Sequence, residues 1–129
     1  MARVLFVCLQ NAGRSQIAEA LFQLAASGEH EARSAGTAPA SRVHPVVVEA
    51  LGEVGVDLSR RRPRRLTGDL AQWPDVVVTM GCGDACPLIP GKRYVDWDLP
   101  DPAGMPLEGV VALRNEIDRR VRDLASELG

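Results

Sequence analysis

"VLFVCLQNAGRSQIAEAL", Val4 to Leu21, passes from an apolar run to a polar loop and then to a helical pattern. Ala2–Val7 is nearly continuous in apolar residues, the pattern of a strand buried on both faces. Ser15–Ala26 predicts a helix with Ile17, Leu21 and Leu24 on one face and Gly28 just past its end. Cys8 therefore stands at the tip of a strand, with Arg14 and Ser15 at the start of a helix. A strand feeding a helix through a short loop is the first half of a βαβ unit.

The rest of the chain repeats that alternation. Glu31–Ser34 reads as a weaker strand and "SAGTAPASR" as a loop. Pro45–Val54 reads as a helix, with Pro45 in its first turn, Val47, Leu51 and Val54 on one face and Gly55 at its end. Leu66–Gln72 is a short helical piece, Val76–Met80 a second strand buried on both faces, and Arg93–Trp97 another strand. Pro106–Leu128 predicts a long helix whose Val110, Leu113, Ile117, Val121, Leu124 and Leu128 form a core-facing stripe. Glu116 and Arg120 on it are spaced for an ion pair. The fold class is α/β: one domain over residues 1–129, with parallel strands connected right-handed. Parallel sheets take ligands at the carboxyl ends of their strands. Cys8, Cys82 and "DLPDP" each follow a predicted strand, so they are expected at one edge of the sheet.

Composition narrows the function. The chain has 129 residues, a formal net charge of −2, 4% aromatic residues and three cysteines, Cys8, Cys82 and Cys86. The charge argues against nucleic acid as a partner. No stretch approaches the ~18 apolar residues of a membrane span. "MARVLFVCLQNAGR" runs from a short apolar segment into a polar loop, unlike a secretory leader. A cytoplasmic protein is expected. Three cysteines make a poor structural disulfide framework, and C-x3-C without a partner motif makes a poor zinc site, so no metal is expected.

The loop "CLQNAGRS" is suited to oxyanion chemistry. Peptide N–H groups between a strand and a helix start can form an anion nest, reinforced by the helix dipole. Leu9, Gln10, Asn11, Ala12, Gly13, Arg14 and Ser15 are the expected oxyanion-binding residues. Gly13 permits close approach, Asn11 tolerates a left-handed backbone, and Arg14 offers two parallel donors. A cysteine in this field is expected to act as a thiolate nucleophile. Cysteine alone is commonly a core residue; it is the C-x5-R-S frame between strand and helix that favours catalysis.

"VCLQNAGRS" resembles the phosphate-binding loop of the low-molecular-weight tyrosine phosphatase superfamily. "FVCLQNAGRSQIAEALF", "SAGT", "VVTMGCGDACP" and "DWDLPDPAG" fall in the order and spacing of the arsenate reductases of that superfamily. Gln16 stands where the phosphatases usually carry proline. The thioredoxin-coupled, three-cysteine class is the nearest match. This resemblance implies a four-stranded parallel sheet with helices on both faces. It also implies reduction of arsenate, with phosphate or sulfate as competing oxyanions, thioredoxin as the partner, arsenic detoxification as the role, and a monomer.

Its implied catalytic residues are Cys8, Arg14, Cys82, Cys86 and Asp101. Cys8 attacks arsenate, Asp101 protonates the departing oxygen, Cys82 resolves the adduct, and a Cys82–Cys86 redox disulfide is left for thioredoxin. On one turn of helix, Cys82 and Cys86 would have Cα atoms ~6 Å apart, within disulfide range. Gly81 and Gly83 would let the segment move, and Pro102 restricts the backbone of Asp101. No resident cofactor is expected. Related reductases hold a monovalent cation at positions matched by Asn11, Glu19 and Ser34. A further acidic position of that site is replaced here within "SRRRPRRL", where Arg64 falls, leaving Arg64 a candidate to supply the charge. The alternatives are a tyrosine phosphatase using Cys8, Arg14 and Asp101, and a non-catalytic oxyanion-binding or redox-sensing module.

Overall fold

Alternating short strands and amphipathic helices build a parallel sheet, because each helix carries the chain back over a sheet face before the next strand begins. The computed structural model describes residues 1–81 and 88–129. Its elements are β1 (Arg3–Cys8), α1 (Arg14–Ala26), β2 (Glu31–Gly36), α2 (Pro45–Gly52), α3 (Gly68–Gln72), β3 (Val76–Met80), β4 (Arg93–Asp96) and α4 (Leu107–Leu128). The strands form one four-stranded sheet in the order β2-β1-β3-β4, and every pairing is parallel.

That order fixes where a ligand can sit. From β1 the chain moves outward to β2, then crosses back past β1 to β3. The order reverses between β1 and β3, and a crevice opens beyond the carboxyl ends of those two strands. Cys8 is the last residue of β1, paired with Gly36 of β2 on one side and Met80 of β3 on the other.

The two faces of the sheet are covered unequally. Val4, Phe6, Val76, Val78 and Met80 face the larger core, shared with α1, α2 and α4. Phe6 anchors it, with Phe22 edge-on at 5.7 Å and Trp97 at 5.9 Å between ring centroids. Leu5, Val7 and Val77 face a smaller cluster with Ala35 and with Leu70 of α3. Since alternate side chains of β1 meet cores on both faces, its apolar run is unbroken.

Two apolar positions behave differently from the sequence expectation. Leu24 of α1 is 63% exposed. Helix α1 is buried almost all round over Arg14–Phe22, so Ala18 and Phe22 take the core contacts that the Ile17–Leu21–Leu24 stripe assigned to Leu24. Val54 is 49% exposed because α2 ends at Gly52 and the chain turns before Val54. In α4, by contrast, Val110, Leu113, Ile117, Val121 and Leu124 are all buried, and Glu116 meets Arg120 at 2.7 Å.

Candidate active site

The loop after β1 is held from outside by its own carbonyls. Those of Cys8, Leu9, Gln10 and Ala12 accept bonds from the N–H groups of Thr37, Ala38, Ala40 and His44 at 3.3, 2.8, 3.0 and 2.9 Å. In a trans peptide the C=O and the following N–H point opposite ways. The N–H groups of Leu9, Gln10, Asn11 and Gly13 are thereby turned to the inside of the loop. Asn11 donates its N–H to Cys8 Sγ at 3.3 Å. It sits at φ 51°, the left-handed backbone this inward turn requires of it.

Cys8 is 2% exposed at the floor of this loop. Its Sγ lies 2.8 Å from Ser15 Oγ, and Asn11 Nδ2 donates to that same Oγ at 2.7 Å. With one Oγ lone pair so engaged, the Ser15 hydroxyl is free to donate to the sulfur. Cys8 is a free cysteine in the structure.

Arg14 opens α1 and is 7% exposed. Its Nη1 donates to the carbonyl of Leu99 at 3.1 Å, and its Nη2 lies 3.8 Å from the Asp101 carboxylate. Arg14 Nε is buried and has no hydrogen-bond partner among the described residues. A buried guanidinium donor left open beside inward-turned amides is a socket for an oxyanion. Asp101 is at the rim, its side chain 47% exposed. Its Oδ1 accepts the Ala103 N–H at 2.9 Å, which orients the carboxyl group. Strand β4 and the following loop thus deliver Asp101 to the same mouth as Cys8 and Arg14. Cys82 and Cys86 lie outside the described residues, and so does their expected pairing.

Three glycines crowd the loop. A Cβ on Gly13 would lie 2.4 Å from Pro102 Cγ, one on Gly36 2.7 Å from the carbonyl oxygen of Leu9, and one on Gly81 2.5 Å from Arg14 Nη1. Gly81 is needed twice over: its φ of 82° favours glycine, and its missing side chain leaves room for the arginine. Sequence reasoning gave Gly36 no role at all, because the contact is made by a neighbouring strand. Gln16, marked in the sequence only for standing in place of proline, has a structural part as well. Its Nε2 lies within 3.1 Å of Asn11 Oδ1 and 3.3 Å of the Arg62 carbonyl, tying the loop to the arginine-rich segment.

The residues matched to a cation site share one cavity, and the arginine paired there is not the expected one. Asn11, Glu19 and Ser34 are buried near one another, lining a cavity of about 400 Å³ with residues 60–64. Arg61, and not Arg64, pairs with the Glu19 carboxylate. Arg64 contributes its backbone N–H, donated to Asn11 Oδ1 at 2.8 Å. Among the described residues no cluster of His, Cys, Asp and Glu is placed to hold a metal ion.

Comparison with known proteins places this geometry in a family context. Residues 3–129 match the family model "Low molecular weight phosphotyrosine protein phosphatase". A solved structure titled as the thioredoxin-dependent arsenate reductase Cg_ArsC1' of Corynebacterium glutamicum is 46% identical, with a TM-score of 0.83. That alignment covers 98% of this chain but 60% of the other, so this chain spans less than two thirds of that relative. A structure titled "An arsenate reductase in the phosphate binding state" is 34% identical, covers both chains completely and has a TM-score of 0.88. The Synechocystis protein named glutaredoxin arsenate reductase is 34% identical over 99% of both chains.

Proposed function

As a member of the low molecular weight phosphotyrosine protein phosphatase family, this chain is, we propose, an arsenate reductase that uses thioredoxin as its electron donor. The observation that carries the reading is Cys8 Sγ on the floor of a loop of inward-turned amides, with the buried Nε of Arg14 open beside it. Arsenate and phosphate are both tetrahedral oxyanions, and this socket suits either. What favours reduction over hydrolysis is in the sequence: Cys82 and Cys86 follow β3, and Gln16 stands in place of proline. The arsenate reductases among the relatives support the same choice.

In this reading Cys8 attacks arsenate as a thiolate, and Asp101 gives its proton to the departing hydroxide. The product is a Cys8–arsenic adduct in which arsenic is still pentavalent. Cys82 then attacks the sulfur of Cys8. The S–As bond breaks with its electron pair passing to arsenic, which leaves as arsenite, and a Cys8–Cys82 disulfide remains. Cys86 attacks Cys82 and frees Cys8, and thioredoxin reduces the resulting Cys82–Cys86 disulfide. Such a cycle belongs in a reducing cytoplasm, and every step before the exchange with thioredoxin lies within one chain, so a monomer suffices. No resident cofactor enters it. Cys8, Arg14 and Asp101 alone would serve phosphoryl transfer, and the family model favours a weak phosphatase activity as a second one.

Arsenate-dependent NADPH consumption, with thioredoxin and its reductase supplied, tests the assignment. Wild type should turn over and Cys8→Ser should not. Turnover by Cys8→Ser, or arsenate left untouched by wild type, would sink it. Replacing thioredoxin with glutathione and glutaredoxin tests the donor, and should give little rate.

A further inference from the structure

The arginine-rich segment after α2 carries more order than a solvated basic loop. Arg61 pairs with Glu19 and also donates from Nη2 to Gln23 Oε1 at 3.2 Å. The Arg62 carbonyl takes Gln16 Nε2 at 3.3 Å, and the Arg64 N–H reaches Asn11 Oδ1 at 2.8 Å. The Arg64 carbonyl in turn accepts the Gly36 N–H at 2.8 Å, and Leu66 returns its N–H to the Gly36 carbonyl at 2.9 Å. This strap runs from α1, past the floor of the oxyanion loop, to the edge of β2.

A monovalent cation does not fit the side chains that the family resemblance would give it. A carbonyl oxygen has two lone pairs. Asn11 Oδ1 spends both on N–H donors, from Arg64 and from Gln16 at 3.1 Å. The Glu19 side chain, 11% exposed, is already neutralised by a guanidinium. A buried carboxylate needs such a partner, and Arg61 is a charge that cannot dissociate or deprotonate.

We propose that Arg61 is a positioning residue: a tethered cation that replaces a bound monovalent ion beneath the oxyanion loop and makes oxyanion binding independent of potassium. The inference rests on the oxyanion-binding reading above. Arg61 anchors the strap at Glu19, the strap presents Arg64 N–H to Asn11, and Asn11 Nδ2 holds Ser15 Oγ, which lies 2.8 Å from Cys8 Sγ. Removing the guanidinium leaves Glu19 uncompensated beside a cavity of about 400 Å³, large enough for an ion to enter.

Calorimetric binding of inorganic phosphate, in potassium chloride and in tetramethylammonium chloride at equal ionic strength, decides the matter, with melting temperature as a second readout. Wild type should bind phosphate equally, within about twofold, in both salts. Arg61→Ala and Arg61→Gln should lose about tenfold in affinity in tetramethylammonium, of the order of one charge-assisted hydrogen bond. Potassium should restore both variants, and should raise their melting temperatures but not that of wild type. Arg61→Lys should behave nearly as wild type. A potassium-specific gain in wild type overturns the proposal. So does a loss in both alanine and glutamine variants that potassium leaves unrepaired, or no loss at all. Wild type failing to bind phosphate in either salt would count against the functional reading, and the salt-specific melting would still judge Arg61.

Discussion

One added methyl group separates two jobs of the oxyanion loop. At Gly36 the new Cβ would meet backbone on every side, 2.7 Å from the Leu9 oxygen and 2.9 Å from the Asn11 nitrogen. Backbone cannot swing aside as a side-chain tip can, so Gly36→Ala should deform the loop itself. At Gly13 the Cβ would strike Pro102, next to Asp101 in sequence. That collision moves the acid and spares the amides. Gly36→Ala should therefore weaken phosphate binding by about tenfold or more, the scale of one lost hydrogen bond to a charged group. Gly13→Ala should bind phosphate nearly normally while kcat falls by about a hundredfold, the lower range for a positioned acid. Steady-state kinetics on arsenate, beside phosphate calorimetry, read both. Equal losses of binding in the two variants would show that the glycines are not divided in this way.

Among the elements, α4 holds the clearest electrostatic signature. Arg119 and Arg120 both hydrogen-bond the Glu116 carboxylate, which lowers its pKa from 4.5 to about 2. A carboxylate depressed on folding adds stability above its unfolded pKa and loses it as pH falls through the folded one. The effect of Glu116 should fade between pH 4.5 and about 2. Carbon-detected NMR of the Glu116 carboxyl should find its midpoint well below the ordinary glutamate range; a midpoint near 4.5 would mean the two arginines do not hold it in solution. The ion pair with Arg120 was legible in the sequence because i,i+4 neighbours on a helix meet whatever the fold. Strands β1 and β3 were legible because burial on both faces writes an unbroken apolar run. Leu24 and Val54 were misread for a related reason: periodicity marks a face but not where the helix leaves the core. Arg61 was not legible. Five arginines lie between residues 60 and 65, and only the tertiary fold brings one of them to Glu19, 42 residues away.

At the scale of the whole molecule, the order β2-β1-β3-β4 puts the reversal of the sheet at β1 and β3. Cys8 ends β1, and Met80, its partner at the end of β3, leads into Gly81 and then, in sequence, to Cys82 and Cys86. A phosphatase on this fold needs only the first of them. Its C-x5-R-S loop was readable from the sequence because strand, nest and helix start are contiguous. The carbonyl clamp by residues 37–44 and the Leu99 carbonyl on Arg14 were not, being made by distant chain. The central claim is that two electrons pass from cysteine to arsenic through Cys8, Cys82 and Cys86 in turn. Mass spectrometry of non-reduced peptides after one arsenate exposure, with arsenite counted, tests it most directly. Wild type should yield a Cys82–Cys86 disulfide, and Cys86→Ser a Cys8–Cys82 disulfide with about one arsenite per enzyme, since the second sulfur attack remains possible. Cys82→Ser should form no disulfide and release no arsenite. Arsenate left unreduced in all three, with hydrolysis of a small aryl phosphate intact, would contradict the account and leave a phosphatase.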